Sequence, residues 1–271
     1  MDSIKQAVDL ARAAEGNLRQ VAGPSAGFAE SSRLSPRDTQ IKEVRLDAAH
    51  LEATRIVAHG ASSIHGRYYD MLRTQVLQEM DKKSWQFLAV TSPTAGCGKS
   101  VTACNLAVSI ARLPERSVLL VDLDLRKPMV ADYLGLGQND GVLGVLEGRA
   151  TLSSAILQAS IGPNSLLVLP GSVPSSGSSE WMASQTMGTL LQSIKRDFRS
   201  RIVIFDLPPM LLGDDVISIL PRMDAALLVA AVGSTSVADI KECQKHLQRT
   251  SVVRVVVNKA TETAGSYYGY Y

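Results

Sequence analysis

Thr91-Ser92-Pro93-Thr94-Ala95-Gly96-Cys97-Gly98-Lys99-Ser100 is the stretch that decides the fold of this chain. The apolar run Phe87–Thr91 leads into it, and residues 100–112 behind it follow a helical pattern. A glycine-rich turn between a strand and a helix is where a phosphate-binding loop belongs. Gly96 and Gly98 let successive backbone N–H groups turn toward one anion. The helix start near Lys99 adds its positive dipole end. Lys99 is placed to reach β- and γ-phosphates, and the Ser100 hydroxyl to ligate Mg2+. Pro93 replaces the usual first glycine of such loops, so the strand–turn–helix context carries part of the assignment.

Two more strands end in carboxylates. Val118-Leu119-Leu120-Val121-Asp122-Leu123-Asp124-Leu125-Arg126 places Asp122 and Asp124 at i and i+2, which in extended chain point the same way. Two like charges side by side are costly unless a cation is near; Mg2+ or Lys99 would supply it. Ile202-Val203-Ile204-Phe205-Asp206-Leu207-Pro208-Pro209 ends in a single carboxylate, a Walker B pattern. Further apolar runs lie at 166–169, 226–232 and 252–257, and helical patterns are clearest at 100–112, 179–198 and 237–249. Strands apolar on both faces and separated by helices imply an α/β fold of the P-loop NTPase type. That fold is a doubly wound, mainly parallel sheet covered by helices on both faces. Ligands bind beyond the carboxyl ends of such strands, where all three motifs fall.

The rest of the composition narrows the classes. The 271 residues suit one α/β domain with extensions, and the 45% apolar content is ample for its core. A net charge of +2 gives no strong field toward DNA or an anionic membrane, so no nucleic-acid partner is expected. Cys97, Cys104 and Cys243 form no CxxC pair, and His50, His59, His65 and His246 show no ligand spacing, which argues against zinc and disulfides and for a reducing cytosol. The longest apolar run, 225–232, is far short of the roughly 18 residues of a membrane helix. The N-terminus carries Asp2 and no apolar signal-peptide core. The expectation is a cytoplasmic chain that reaches a membrane only through a partner.

Three regions are expected. Residues 1–45 hold a helix at 2–19, with Ile4, Ala7, Val8, Ala11 and Leu18 on one face, and a linker at 20–40 rich in Gly, Ser and Pro. Residues 46–260 hold the P-loop domain, opening with short helices near 47–57 and 67–80. Residues 261–271 are a tail. Of the seven tyrosines, four (Tyr267, Tyr268, Tyr270 and Tyr271) lie in the last five residues. So short a terminal segment cannot bury four rings on its own.

Taken together, residues 92–100, Val-Asp-Leu-Asp-Leu-Arg at 121–126 and Phe-Asp-Leu-Pro-Pro at 205–209 resemble the bacterial tyrosine kinases of exopolysaccharide biosynthesis, relatives of the MinD and ParA positioning ATPases. The mark of that family is the second acidic motif, and the similarity covers roughly residues 70–258. The resemblance implies ATP and Mg2+ as cofactors and Lys99, Asp122, Asp124 and Asp206 as catalytic residues. Nucleotide binding falls to Thr94, Ala95, Gly96, Cys97, Gly98, Lys99, Ser100 and Val101, with Asn258 at the position that reads the adenine edge. Ser100, Asp122 and Asp206 would hold the metal, and the remaining acid would orient or deprotonate a tyrosine hydroxyl. The tyrosine tail would be the phosphoacceptor, in contrast to a plain docking tail.

Four departures from the family pattern stand out. Thr94 occupies the place of the positioning ATPases' signature lysine, which disfavours that sister class. Cys97 stands where many members have glutamate, and reads either as a reactive thiolate at a helix start or as an inert small residue. Val101 replaces a second hydroxyl residue. Arg67, Asp70 and Arg73 exchange two charges of the family's Glu-x-x-Arg-x-x-Arg assembly helix, so they read either as interface charges or as a solvated face. The function expected is an autophosphorylating tyrosine kinase that regulates polysaccharide polymerisation and export. A separate membrane co-polymerase would activate it, and homo-oligomers are possible. The alternative is a MinD- or ParA-like ATPase without kinase activity.

Overall fold

The computed structural model describes residues 41–60 and 63–260. The helix expected at 2–19, the linker and the tyrosine tail lie outside these residues. Eight strands form one sheet: β1 (Lys42–Arg45), β2 (Phe87–Thr91), β3 (Val118–Asp122), β4 (Leu157–Ile161), β5 (Asn164–Leu169), β6 (Ile202–Asp206), β7 (Ala225–Ala231) and β8 (Ser251–Asn258). Their order is β1-β4-β5-β3-β6-β2-β7-β8. All pairs are parallel except β4 with β5, so β1 and β4 run against the other strands.

The central strands are apolar at every position, and the structure shows why. Leu88, Val90, Leu120, Ile204 and Leu227 face one core, while Phe87, Ala89, Leu119, Phe205 and Leu228 face the other. Neighbouring residues on a strand point to opposite faces, so burial on both sides requires an unbroken apolar run. The first core is closed by α2 (Ile64–Lys83) and α3 (Lys99–Ala111), and every residue of α3 except Val101 is buried. The second is closed by α8 (Gln185–Asp197) and by α9 (Asp215–Ile219), with Phe87 and Phe205 edge to face at 5.0 Å.

Three sequence expectations are corrected. Residues 42–45 belong to the sheet as β1, so the domain's sheet starts ahead of residue 46. The other unforeseen strand, β4, carries polar Gln158 and Ser160 between apolar positions and joins β5 through the tight turn Gly162-Pro163, so it shows no continuous apolar run. The helix read over 179–198 is two helices, α7 (Ser178–Ala183) and α8. Ser184 is extended between them; its hydroxyl donates to the Trp181 carbonyl at 2.7 Å and accepts from Met187 N at 3.0 Å, capping the second helix.

The leading helices are set by caps. Asp47 accepts from the N–H groups of Ala49 and His50 at the start of α1 (Ala48–Ala53), and Ser63 caps α2. On α2, Asp70 faces α3: its Oδ1 accepts from Ser109 Oγ at 2.6 Å, Arg112 Nη1 at 3.0 Å and Arg73 Nη1 at 3.1 Å. Arg73 also donates to the Ser109 carbonyl at 2.9 Å. Two of these three charged residues, Asp70 and Arg73, thus tie α2 to α3 within the chain, while Arg67 is exposed. Asp70→Ala is expected to destabilise the domain by about 1.5–3 kcal/mol, since it strands two guanidinium donors. Urea denaturation reads this directly; an unchanged midpoint would mean the network carries no stability.

Candidate active site

The loop 92–98 links β2 to α3 at the carboxyl edge of the sheet. Gly96 and Gly98 have φ of 79° and 91°, in the left-handed region that favours glycine. Gly98 is constrained twice, because a Cβ there would collide with the Asn258 amide. That amide donates from Nδ2 to the Cys97 carbonyl at 2.9 Å. Asn258, at the end of β8, therefore clamps the loop backbone from below. Gly98 brings no side chain to cap α3, so the first-turn N–H groups remain available to an anion.

Lys99 is buried and lies among oxygens: Asp124 Oδ2 at 2.7 Å, Ser100 Oγ at 3.1 Å and Asp206 Oδ1 at 3.4 Å. Burial disfavours its charge, but the Asp206 and Asp124 carboxylates outweigh that and hold its pKa above the ordinary lysine value. Asp206 is raised, first by burial, against the lowering effect of Lys99. Its Oδ2 is buried with no hydrogen-bond partner.

Asp122 and Asp124 separate in role. Asp122 ends β3 and is wholly buried; Oδ1 accepts from Asp124 N at 3.1 Å, and Oδ2 from the N–H groups of Met129 and Val130, both at 3.0 Å. It braces the turn that carries Asp124. Burial and then the Asp206 charge push Asp122 up to about 8, against the N–H of Val130 and the charge of Lys99. Asp124, two residues on, leaves the strand and lines the cleft beside Lys99.

The cleft is walled by Gly96, Gly98, Lys99 and Ser100 on one side and by Asp124, Arg126, Lys127 and Tyr133 on another, with Pro208, Pro209, Gly213 and Asp215 closing it. Cys97 points away from it into the core. Its Sγ lies 3.5 Å from both Thr94 Oγ1 and Thr235 Oγ1, and the side chain has no exposed surface. Burial opposes the thiolate, yet the threonine hydroxyls lower the pKa. Access decides reactivity here. In native protein, iodoacetamide is expected to carbamidomethylate Cys97 no faster than the buried Cys104 and Cys243. Rapid labelling that ATP blocks would overturn that expectation.

Sequence reading did not single out Asp215, Ser179 or Thr235. Asp215 follows the Walker B strand by nine residues, and Thr235 sits in Gly233-Ser234-Thr235-Ser236 just past β7. Polar residues just past strand carboxyl ends were the available signal.

The pattern of the CobQ/CobB/MinD/ParA nucleotide binding domain family matches residues 88–267. CpsD of Streptococcus pneumoniae serotype 4, a tyrosine-protein kinase, is 30% identical over 203 residues, covering 74% of this chain and 86% of CpsD. The chain belongs to the bacterial tyrosine kinases of this nucleotide-binding family. EpsB of Ralstonia nicotianae, named a putative tyrosine-protein kinase, is likewise 30% identical over 200 residues, which is 73% of this chain; the chain spans only 26% of EpsB. The kinase domain of the Escherichia coli tyrosine kinase ETK superposes with a TM-score of 0.62 at 24% identity, covering 81% of this chain and 80% of that one. That likeness confirms the fold of this family member. Among its described residues, no helix is long and apolar enough to cross a membrane.

Proposed function

We propose that the chain is an Mg-ATP-dependent tyrosine autokinase that phosphorylates Tyr267, Tyr268, Tyr270 and Tyr271 and thereby regulates exopolysaccharide polymerisation and export. The observation that carries this reading is the convergence of Lys99 with Asp124 and Asp206 at the ends of β3 and β6, beneath a loop of free N–H groups. ATP phosphates would bind that loop, with Lys99 leaving its carboxylates for the β- and γ-phosphates. Among the described residues there is no all-protein cage of three or more metal-ligating side chains. Mg2+ needs none, since one or two carboxylates plus substrate phosphates suffice. The orphaned Asp206 Oδ2 beside Ser100 suits it, and the ion would neutralise charge on the phosphates. Ser100 and Asp206 would hold it, with Asp122 behind them. Asp124 would accept the proton of the incoming tyrosine hydroxyl.

Recruitment to the inner membrane by a separate co-polymerase, and assembly into a homo-oligomer, complete the proposal. The match to CpsD, itself named a tyrosine-protein kinase, supports the kinase reading. The test is to incubate purified protein with Mg-ATP and locate phosphate by mass spectrometry. Phosphotyrosine in residues 261–271 is the expected result. ATP hydrolysis without any phosphotyrosine would instead make this a positioning ATPase.

A further inference from the structure

Besides Lys99, the cleft is lined by the cations Arg126 and Lys127, and Arg126 is the one anchored by a buried carboxylate. Lys99 has three ammonium hydrogens, and three oxygens already surround it. Arg126 lines the same cleft and is half exposed, yet its guanidinium is fixed from behind. Nε donates to Asp215 Oδ2 at 3.0 Å, Nη2 lies 2.8 Å from the same oxygen as an ion pair, and Nη2 donates to Ser179 Oγ at 2.9 Å. Asp215 is almost wholly buried, and its Oδ1 has no hydrogen-bond partner. A buried carboxylate with one oxygen orphaned is destabilising unless a cation compensates it. Its only direct ion pair among the described residues is with Arg126.

This arrangement is costly as structure and useful as orientation. A guanidinium has five N–H donors in a planar fork. Three of the contacts above occupy Nε and Nη2 and leave Nη1 without a bond among the described residues. Such a pre-oriented fork suits a phosphoryl group better than a free lysine does. Gly213 keeps the space open: a Cβ there would lie 2.9 Å from Asp215 Oδ2 and 3.1 Å from Arg126 Nη2.

We propose that Arg126 binds the γ-phosphate of the nucleotide, and that Asp215 is a positioning residue that holds the Arg126 fork in the cleft. The proposal rests on the Mg-ATP reading of the site, and it makes the pair a discriminator of triphosphate from diphosphate.

The test is a titration of the full chain with fluorescent ADP and with a non-hydrolysable β,γ-imido ATP analogue, both with Mg2+. Arg126→Gln should weaken the analogue by about 10- to 100-fold, the range of a lost charge-assisted hydrogen bond, and leave ADP within about twofold. Ser179→Ala should weaken the analogue less, in the same direction. Asp215→Asn should weaken it too, but add nothing in the Arg126→Gln background, because a residue acting only through Arg126 has no effect without it. Folding of each variant is checked by its circular-dichroism melt, and Ser179→Ala carries the positioning claim if Asp215→Asn does not fold. Equal losses for ADP and analogue in Arg126→Gln, or no loss, would overturn the phosphate contact. Additive losses in the double variant would overturn the positioning role. Phosphotyrosine is measured separately, so a chain that selects triphosphate through Arg126 without making phosphotyrosine refutes the kinase proposal and leaves this one standing.

Discussion

Replacing Lys99 by Met is expected to lower phosphotyrosine formation by about 10²–10³-fold, the usual cost of losing one preorganised charge at the transferring group. Lys99 is the ammonium between Asp124 and Asp206, so the substitution removes a γ-phosphate contact and also strands two carboxylates. Breaking a buried pair from one side generally costs about 3–5 kcal/mol. The consequence has a sign. The Asp206 pKa is already raised by burial, with Lys99 pulling it down. Without Lys99 it rises further, so the folded variant binds its proton more tightly than the unfolded chain does. Stability is then greatest at low pH and is lost as pH rises through the folded value. The melting temperature of Lys99→Met should therefore fall more steeply than that of the wild type as pH rises above the ordinary carboxylate range. Wild-type phosphotyrosine in this variant would remove Lys99 from the chemistry.

Changing Tyr267, Tyr268, Tyr270 and Tyr271 together to Phe should abolish most phosphotyrosine and leave nucleotide affinity unchanged. These residues make up four of the last five positions, beyond the strand that ends at Asn258. Each phosphate adds about −1.5 to −2 charges, so a fully modified tail carries roughly −6 to −8. Such tails repel one another and the acidic strand ends, and the dephosphorylated protein should be the more oligomeric form. Light scattering before and after phosphatase treatment checks this, and a larger phosphorylated species would reverse it. Strong phosphotyrosine in the four-Phe variant would move attention to Tyr68, Tyr69 and Tyr133. Of these, Tyr133 lines the cleft.

The central sheet was readable because β2, β3, β6 and β7 are buried on both faces and carry unbroken apolar runs. Strands β1 and β4 lie toward one edge, carry polar residues and run against the rest, so nothing in their few residues separates them from loop. The site was readable where chemistry is local: Gly96, Gly98, Lys99 and Ser100 are contiguous, and Asp206 ends an apolar run. It was unreadable where partners are distant in the chain. Asp122 and Asp124 look equivalent at i and i+2, but backbone donors up to eight residues away claim the first and leave the second beside Lys99. Asn258 reaches the loop across 161 residues, and Asp215 meets Arg126 across 89.

The clamp formed by Asn258 also fixes where the proposed acceptor starts. With the end of β8 bonded to the phosphate loop, only eight residues, 259–266, separate that anchor from Tyr267. Fully extended they span at most about 29 Å. A tail serving as acceptor would be held by chain connectivity within that reach of the loop, where a short linker gives effective concentrations of order millimolar. A site fed in this way would have no need of intrinsic affinity for tyrosine. Free tyrosine peptides should be poor competitors of the tail, and lengthening 259–266 should slow phosphorylation without altering the chemistry of transfer.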